Sequence, residues 1–405
     1  MNKRIVIGVL LVTLLLVGCK PIRSGLKEST AQPIPIPTAD VTKSIPTPSE
    51  KNAPSGRSTI SINLPYISKD GTPNATATNS QTPNPTNTPL PTATPTPAWP
   101  ESLASPGRSK LGLHVQTNNS PNIMEFIRRV KPRVVKGVDD LGFLEEVKKV
   151  SPQTITIGRF SDVPQNMDGD PKQAALDLVN RYLGRYRQFP GVDYWEGLNE
   201  PGVNGRMAWF AVFETERVRL MAQYGLRCAI GAFSTGAPEW DQFEAFLPAI
   251  QAALEYGGIL TLHEYDAPTF YRSVGSGLPG KAPIANRGAL ALRYRWWYDD
   301  FLKPKGLVIP LVVSEAGIDG AIANRPGPKG LGWQDFVDFW RASGLDPDGV
   351  TEYLHQLAWY DSELQKDDYV IGCTIFTAGP AGNDWRSFDI TGMLRALAFY
   401  LASLK

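Results

Sequence analysis

The 405-residue chain has little cysteine, little histidine and no excess of charge of either sign. Three cysteines cannot build a domain that depends on several disulfides. Three histidines provide few of the ligands that a catalytic metal centre needs. The 41 Lys and Arg residues balance 40 Asp and Glu residues, so composition offers no basic surface for nucleic acid. We therefore expect no nucleic acid, no metal ion and no other cofactor among its ligands.

The chain begins with the features of an export signal. Basic residues at positions 3 and 4 precede an apolar run over residues 5–17, which is the length of a signal-peptide core and short for a membrane span. The run ends in Leu16-Val17-Gly18-Cys19, which resembles the lipobox of bacterial lipoproteins. This resemblance implies that residues 1–18 are removed and that Cys19 carries lipid. We expect a protein at the cell surface or elsewhere outside the cytoplasm, anchored to the membrane through Cys19. An ordinary signal peptide and an uncleaved anchor are the alternatives.

A long segment rich in Pro, Thr and Ser follows the leader, over residues 19–106. It shows no apolar periodicity over most of its length, and such a composition buries too little surface to offset the entropy of the chain. Proline-rich segments also stay extended and semi-rigid. We predict a disordered stalk that separates the membrane anchor from a folded domain.

Residues 107–405 alternate between short β-type apolar runs and longer amphipathic segments. The predicted strands are Leu111–Thr117, Arg133–Val138, Thr154–Arg159, Val192–Leu198, Arg227–Phe233, Ile259–Tyr265, Leu307–Ser314 and Val370–Phe376. The predicted helices are Asn122–Lys131, Leu141–Val150, Pro171–Gln188, Met207–Tyr224, Gln242–Tyr256, Ala289–Leu302, Val350–Gln365 and Gly392–Leu404. Strict alternation implies a parallel sheet, and eight units of each kind favour a closed (β/α)8 barrel, the TIM-barrel class of α/β folds. No glycine-rich phosphate loop follows the first strand, which argues against a dinucleotide-binding fold.

Two glutamates stand at the ends of predicted strands. Glu200 follows the fourth strand and Glu315 follows the seventh. Active sites of this barrel lie at the carboxyl ends of the strands, and an unpaired buried carboxylate is costly. A pair of carboxylates across the barrel mouth is the arrangement that cleaves glycosidic bonds.

The residues around these glutamates resemble a known superfamily. Asn199-Glu200-Pro201 and Ser314-Glu315 look like the acid/base and nucleophile motifs of the clan A glycoside hydrolases, which are retaining (β/α)8 enzymes. The resemblance implies that Glu200 is the acid/base, that Glu315 is the nucleophile and that Asn199 donates to the sugar 2-hydroxyl. It also implies a polysaccharide or oligosaccharide substrate with β linkages.

Further side chains at strand ends are candidates for the same site. Alternation along the sixth strand places His263 and Tyr265 on one side. The resembling families often place an aromatic residue or a histidine at this strand end in contact with the nucleophile, which implies that either residue donates a hydrogen bond to Glu315. Arg159 ends the third strand, and the resembling families often place an arginine near the nucleophile. His114 and Lys136 either point into the barrel at the site or are satisfied core residues.

Aromatic side chains near strand ends are candidates for stacking on sugars. We predict such contacts for Trp195 and Trp385. The eighth strand departs from the superfamily pattern, because its end lacks the usual tryptophan; Phe376 or Trp385 takes that place. Trp333, Phe336 and Trp340 recur at helical spacing, which predicts that at least part of this set packs in the core.

Two other functions fit the same sequence. A non-catalytic carbohydrate-binding lipoprotein would keep the barrel, but it has no need of both glutamates. A metal-dependent barrel hydrolase would need several His and Asp ligands at strand ends. We expect a monomer, and we expect the long insertion over residues 319–349 to shape a cleft or lid.

Overall fold

The computed structural model describes residues 98–404. The predicted leader, Cys19 and the stalk up to residue 97 lie outside the described residues. Part of the predicted stalk belongs to the folded body, because Trp99 packs against the core and Leu103 is buried. The backbone amide of Leu103 also donates to the carbonyl of Arg129. Order therefore begins before residue 107, since these two apolar side chains have a surface to pack on. Within residues 98–404, no helix is both long and apolar enough to cross a membrane.

Eight parallel strands form one sheet that closes almost completely into a barrel. The strands are β1 (Leu111–Val115), β2 (Val134–Val138), β3 (Ile155–Arg159), β4 (Tyr194–Trp195), β5 (Ala229–Phe233), β6 (Ile259–Asp266), β7 (Leu311–Ile318) and β8 (Val370–Ala378). Neighbours follow the chain from β1 to β4 and from β5 to β8, and β1 pairs with β8. The predicted (β/α)8 fold is confirmed.

Helices follow the strands and cover the outside of the barrel. They are α1 (Pro121–Val130), α2 (Phe143–Val150), α3 (Pro171–Tyr186), α4 (Met207–Gln223), α5 (Leu247–Glu255), α6 (Tyr294–Trp297), α7 (Val337–Ala342), α8 (Gly349–Leu364) and α9 (Leu394–Ser403). Short 3-10 turns precede α5, α7 and α9, and a π turn extends α6. Asp170 caps α3 as its sequence predicts, because its carboxylate accepts from the amides of Lys172 and Gln173.

Two strands, β4 and β7, differ most from the sequence prediction. β4 has only two residues, because the chain leaves the ladder after Trp195. β7 begins at Leu311, directly after a proline, and continues to Ile318. Glu315 therefore lies inside β7, where the prediction placed it just beyond the strand.

In the described barrel, the order of hydrogen-bonded strands is open between β4 and β5. A single β-bridge joins Trp195 to Cys228. The fully buried guanidinium of Arg217 donates to the carbonyls of Trp195 and Ala229, at 3.1 and 2.9 Å. Gly197 lies against Arg217, and a Cβ at that glycine would come within 2.9 Å of Nε. A side chain from α4 thus replaces part of the missing ladder.

Apolar side chains fill the barrel at the end where the strands begin. The inner cluster consists of Val134, Ile157, Tyr194, Ala229, Ile259 and Val312. Charged side chains occupy the interior nearer the carboxyl ends of the strands, and these build the candidate site.

Candidate active site

Glu315 is at the centre of the charged cluster. It lies opposite His263 in the β6–β7 ladder, and its side chain is only 8% exposed. Lys136 places Nζ 3.0 Å from Oε1, and the Tyr265 hydroxyl donates to Oε2 at 3.0 Å. Nε2 of His114 lies 3.4 Å from Oε1. These three neighbouring side chains therefore fix the position of this carboxylate.

The surroundings of Glu315 favour its ionised form. Burial alone would raise its pKa, but the charges of His263 and Lys136 outweigh burial and hold the pKa well below its usual value. His114 is different, because burial lowers its pKa to about 4. His114 is therefore a neutral neighbour near pH 7, whereas Glu315 is a carboxylate.

Glu200 follows β4 and is held by its backbone. Its amide donates to the carbonyl of Ala232, and its φ of 46° lies in the left-handed region, which costs a non-glycine residue about 1–3 kcal/mol. The side chain is 41% exposed, in contrast to Glu315. Nδ1 of His263 lies 2.8 Å from Oε1 of Glu200. Glu200 therefore combines access to solvent with a partner that can share a proton.

His263 connects the two glutamates. The same Nδ1 lies 2.8 Å from Oε1 of Glu200 and 3.5 Å from Oε2 of Glu315. These two carboxylate oxygens can therefore be no more than about 6.3 Å apart. The structure thus brings together the two glutamates that lie 115 residues apart in the chain.

Lys136 and Arg159 each face the same two carboxylates. Nζ of Lys136 lies 2.8 Å from Glu196 and 3.0 Å from Glu315. Arg159 lies 3.7 Å from both. Burial would raise the pKa of Glu196, but the charges of Lys136, His263 and Arg159 keep it lowered. Two cations and two carboxylates therefore form one cluster below the barrel mouth.

Sequence reasoning assigned no role to Glu196 and left those of Lys136 and His114 open. The signal for Glu196 was available, because it is a carboxylate inside an apolar run, between Trp195 and Leu198. Its partner on β2 could not be inferred, since the contact depends on how the strands are staggered.

The predicted sugar contact at Trp195 is wrong. The side chain is 1% exposed and points into the layer between barrel and helices. It packs on Tyr186 and Phe160, with ring centroids 4.5 and 5.3 Å away. Alternation explains the error, because Glu196 points inward and its neighbour must point outward. Trp195 has no face left for a ligand.

Asn199 lies at the barrel mouth directly before Glu200. It is partly buried, and its amide accepts no hydrogen bond at Oδ1 from the described residues. Its backbone amide donates to the side chain of Gln165. The side chain is therefore held near the glutamates with hydrogen-bonding capacity to spare.

An aromatic cluster follows β8. Phe376 contacts His114 and Tyr265, with ring centroids 4.8 and 6.1 Å away. Trp385 meets Phe376 edge-on at 5.2 Å and is 40% exposed. Phe388 lies beneath both rings and is buried. The cluster thus runs from the neighbours of Glu315 to an exposed indole.

The insertion after β7 is anchored to the core by a few aromatic residues. Trp333, Phe336 and Trp340 are buried, so the prediction of a packing face is confirmed. The guanidinium of Arg325 donates to several carbonyls of its own loop, including those of Gly320 and Pro328. The loop is therefore braced from within. Among residues 98–404, no group of three or more His, Cys, Asp or Glu side chains could hold a metal ion.

Comparisons with known proteins give structural neighbours alone. No protein-family model matches the chain, and no curated protein matches it in sequence. A family 39 glycoside hydrolase from Bacteroides cellulosilyticus is 14% identical with a TM-score of 0.45, and the match covers 76% of this chain and 66% of that one. The chain thus spans slightly less than two thirds of that structure.

Two further solved structures show the same kind of likeness. An endo-β-1,3-glucanase of family 128 from Pseudomonas viridiflava is 16% identical with a TM-score of 0.36, over 71% of this chain and 96% of that one. An endo-β-1,4-mannanase from Thermotoga petrophila is 14% identical with a TM-score of 0.36, over 72% and 77%. At these identities the likeness is one of fold alone.

Proposed function

We propose that this protein is a retaining glycoside hydrolase in which Glu315 is the nucleophile and Glu200 is the acid/base. The observation that carries the proposal is the contact of His263 with both glutamates, which limits the distance from Oε1 of Glu200 to Oε2 of Glu315 to about 6.3 Å. Retaining enzymes hold their two carboxyl groups about 5–5.5 Å apart, whereas inverting enzymes need about 6.5–9.5 Å to admit a water. The separation therefore favours double displacement.

The different surroundings of the two glutamates support their different roles. Glu315 is buried, accepts hydrogen bonds from Lys136 and Tyr265, and has a pKa well below normal. It is therefore ionised, as a nucleophile must be. Glu200 is 41% exposed and shares a hydrogen bond with His263. It can exchange protons with solvent between the two half-reactions, as an acid/base must do.

The reaction then proceeds in two steps. Glu315 attacks the anomeric carbon as Glu200 protonates the departing glycosidic oxygen, and a covalent glycosyl ester forms on Glu315. Glu200, now a carboxylate, takes a proton from a water that attacks the same carbon. The ester bond breaks, the sugar leaves with its original configuration, and Glu200 is protonated again.

Substrate contacts follow from the groups that surround the glutamates. We propose that Asn199 bonds the sugar 2-hydroxyl, where a hydrogen bond strengthens in the transition state; its Oδ1 accepts no hydrogen bond from the described residues. Phe376, which contacts His114 and Tyr265 beside Glu315, and the adjoining Trp385 offer rings to a sugar. The substrate class is a polysaccharide or oligosaccharide, and its β linkage rests on the resemblance of the two glutamate motifs. We further propose that the protein acts outside the cytoplasm as a monomer tethered by lipid on Cys19.

The test is hydrolysis of a panel of polysaccharides by the full-length chain, with product configuration followed by NMR. Glu200→Gln and Glu315→Gln should each abolish turnover, and the native chain should release products of retained configuration. Glu244→Gln is the matched control, because Glu244 is 63% exposed and pairs with Lys305 on the surface. Inversion would reject the roles of both glutamates. Binding without cleavage by the native chain, unchanged in both variants, would favour the carbohydrate-binding lipoprotein.

A further inference from the structure

The cluster beneath the barrel mouth contains two charged groups that the proposed reaction does not use directly. Lys136 and Glu196 are fully buried, and Nζ of Lys136 lies 2.8 Å from Oε2 of Glu196. The same ammonium lies 3.0 Å from Glu315. One cation is therefore divided between the candidate nucleophile and a second carboxylate.

A contribution to folding stability does not explain why Lys136 and Glu196 are buried as an ion pair. Removing two charges from water costs several kcal/mol per ion, and a buried ion pair can often be replaced by apolar side chains without loss of stability. The barrel has apolar side chains at the next level down, including Val134 and Ile157. An apolar pair in place of Lys136 and Glu196 would continue that packing.

Electrostatics gives a better reason. Without Glu196, the carboxylate of Glu315 would receive the whole attraction of Lys136 and Arg159 in addition to that of His263. A carboxylate stabilised so strongly is a weak base and a weak nucleophile. Without Lys136, two carboxylates would share a buried space, and like charges disfavour ionisation. The two residues therefore act on Glu315 in opposite directions.

We propose that Lys136 and Glu196 are positioning residues that together set the basicity of Glu315. Lys136 keeps the carboxylate ionised and in place, and Glu196 limits this effect by drawing on the same ammonium and on the Arg159 guanidinium. The inference deepens the proposed function and rests on it for its catalytic meaning. The opposite effects of Lys136 and Glu196 on the Glu315 pKa depend only on the contacts among these residues, whether or not the chain hydrolyses glycosides.

Other charged or titratable groups also face Glu315 and stay unchanged in the test. They are His114 on β1, Arg159 on β3, Glu200 after β4, His263 and Tyr265 on β6, and Asp319 after β7. Burial and the charges of Glu200 and Glu315 raise the pKa of Asp319, so its influence on Glu315 varies with pH.

The experiment is a titration of the Glu315 carboxyl carbon by NMR in the full-length chain labelled with 13C-glutamate, assigned with Glu315→Gln. The charges of His263 and Lys136 lower the Glu315 pKa in the native chain, which gives the reference midpoint. Glu196 is then tested in a Lys136→Met background, where the midpoint should be higher. Loss of the opposite charge should raise the Glu315 midpoint by about 1–3 pH units. Adding Glu196→Gln should lower the midpoint again, by about one unit, because a like charge disappears.

The matched control is Glu214→Gln in the same background. Glu214 is also a fully buried glutamate paired with a cation, Arg217, but it lies on α4 outside the barrel. Its replacement should leave the Glu315 midpoint unchanged. If circular dichroism shows that Lys136→Met is unfolded, Lys136→Gln replaces it, because Gln keeps an N–H donor without the charge.

A Glu315 midpoint that is unchanged by Lys136→Met, or unchanged when Glu196→Gln is added to that variant, would overturn the inference. The titration needs no substrate, so it remains readable if the chain proves not to hydrolyse glycosides. Conversely, hydrolysis by both glutamates without these midpoint shifts would leave the proposed function intact and reduce Lys136 and Glu196 to structural residues.

Discussion

The hydroxyl of Tyr265 donates a 3.0 Å hydrogen bond to Oε2 of Glu315. Both side chains are buried, and burial together with the charge of Glu315 holds the pKa of Tyr265 well above its usual value. The tyrosine therefore remains a donor across the pH range in which a protein of this kind is folded. This hydrogen bond joins the end of β6 to the middle of β7.

Replacing Tyr265 with phenylalanine should slow catalysis and move its pH dependence. A hydrogen bond to a charged group contributes about 1.5–3 kcal/mol, so kcat/KM should fall roughly 10- to 150-fold. Loss of the donor raises the pKa of Glu315, so the acid limb of the pH profile should move to higher pH. Tyr256→Phe is the control, since Tyr256 is 38% exposed at the end of α5. An unmoved acid limb in Tyr265→Phe would contradict this role.

Trp385→Ala should weaken substrate binding without slowing the chemical step. Trp385 is 40% exposed and supported by Phe376, so it can offer a face to a sugar away from the reacting bond. Aromatic contacts contribute about 0.5–1.5 kcal/mol, so KM should rise roughly 2- to 10-fold with kcat unchanged. Trp359→Ala is the control, because its indole packs on Tyr271 and not on Phe376, and it should leave KM unchanged. A lower kcat at unchanged KM would mean that Trp385 acts in the transition state.

Cys19→Ser should release the protein from the membrane. If Cys19 carries lipid, its thiol is the attachment point, and serine offers no thiol for that bond. Cells fed a radiolabelled fatty acid should label the native chain and leave the Cys19→Ser variant unlabelled. Cys228→Ser is the control, because Cys228 is buried in the barrel. Equal labelling of native chain and Cys19→Ser would reject the anchor.

Much of the fold could be predicted because each unit of the barrel carries its own pattern. Every predicted strand overlaps an observed one, and Asp170 and the proline after it begin α3 as expected. Strand ends were less predictable, since they depend on neighbours. β4 ends early where Gly197 packs on Arg217, a residue of α4. The local sequence of β4 cannot indicate this contact, because the partner lies in another element.

The candidate site was predictable where chemistry follows from position in a strand. Alternation placed His263 and Tyr265 on one side of the sixth strand, and the resemblance implied that they and Arg159 lie near Glu315. All three lie within 3.7 Å of it. Lys136 was not assigned, because alternation shows which side a residue faces but not its partner. Its contact with Glu315 crosses the barrel and depends on strand stagger, which follows from the closed structure as a whole.

Arg217→Leu should destabilise the fold strongly. The change removes the Arg217 donor from the carbonyls of Trp195 and Ala229. It also leaves the buried carboxylate of Glu214 without its cation. Breaking a buried pair costs about 3–5 kcal/mol, to be measured by denaturant unfolding of the full-length chain. The double variant Glu214→Leu/Arg217→Leu should lose less, because no charge remains unpaired. Arg341→Leu should lose little, since Arg341 and its partner Asp338 are exposed. Equal losses in the single and double variants would contradict the explanation.

Glu264 should make the stability of the protein depend on pH in the opposite sense to Glu315. Glu264 points out of the barrel, where it accepts from Tyr360 and from the amides of Leu292 and Tyr294. Burial outweighs these hydrogen bonds and raises its pKa to about 7 from 4.5. The folded state therefore binds this proton more tightly than the unfolded state does.

The sign of the effect follows from that difference. The contribution of the protonated Glu264 is fully present below about pH 4.5 and is lost as the pH rises to about 7, by roughly 3 kcal/mol. Denaturant unfolding at steps of pH should show this decline in the native chain and a flatter curve in Glu264→Gln, which keeps an acceptor but cannot ionise. Glu244→Gln should follow the native curve, because Glu244 is exposed. Glu315, with its lowered pKa, instead loses its contribution as the pH falls below its unfolded value near 4.5. A native curve that is flat from pH 4.5 to 7 would show that Glu264 is ionised in the folded state without cost.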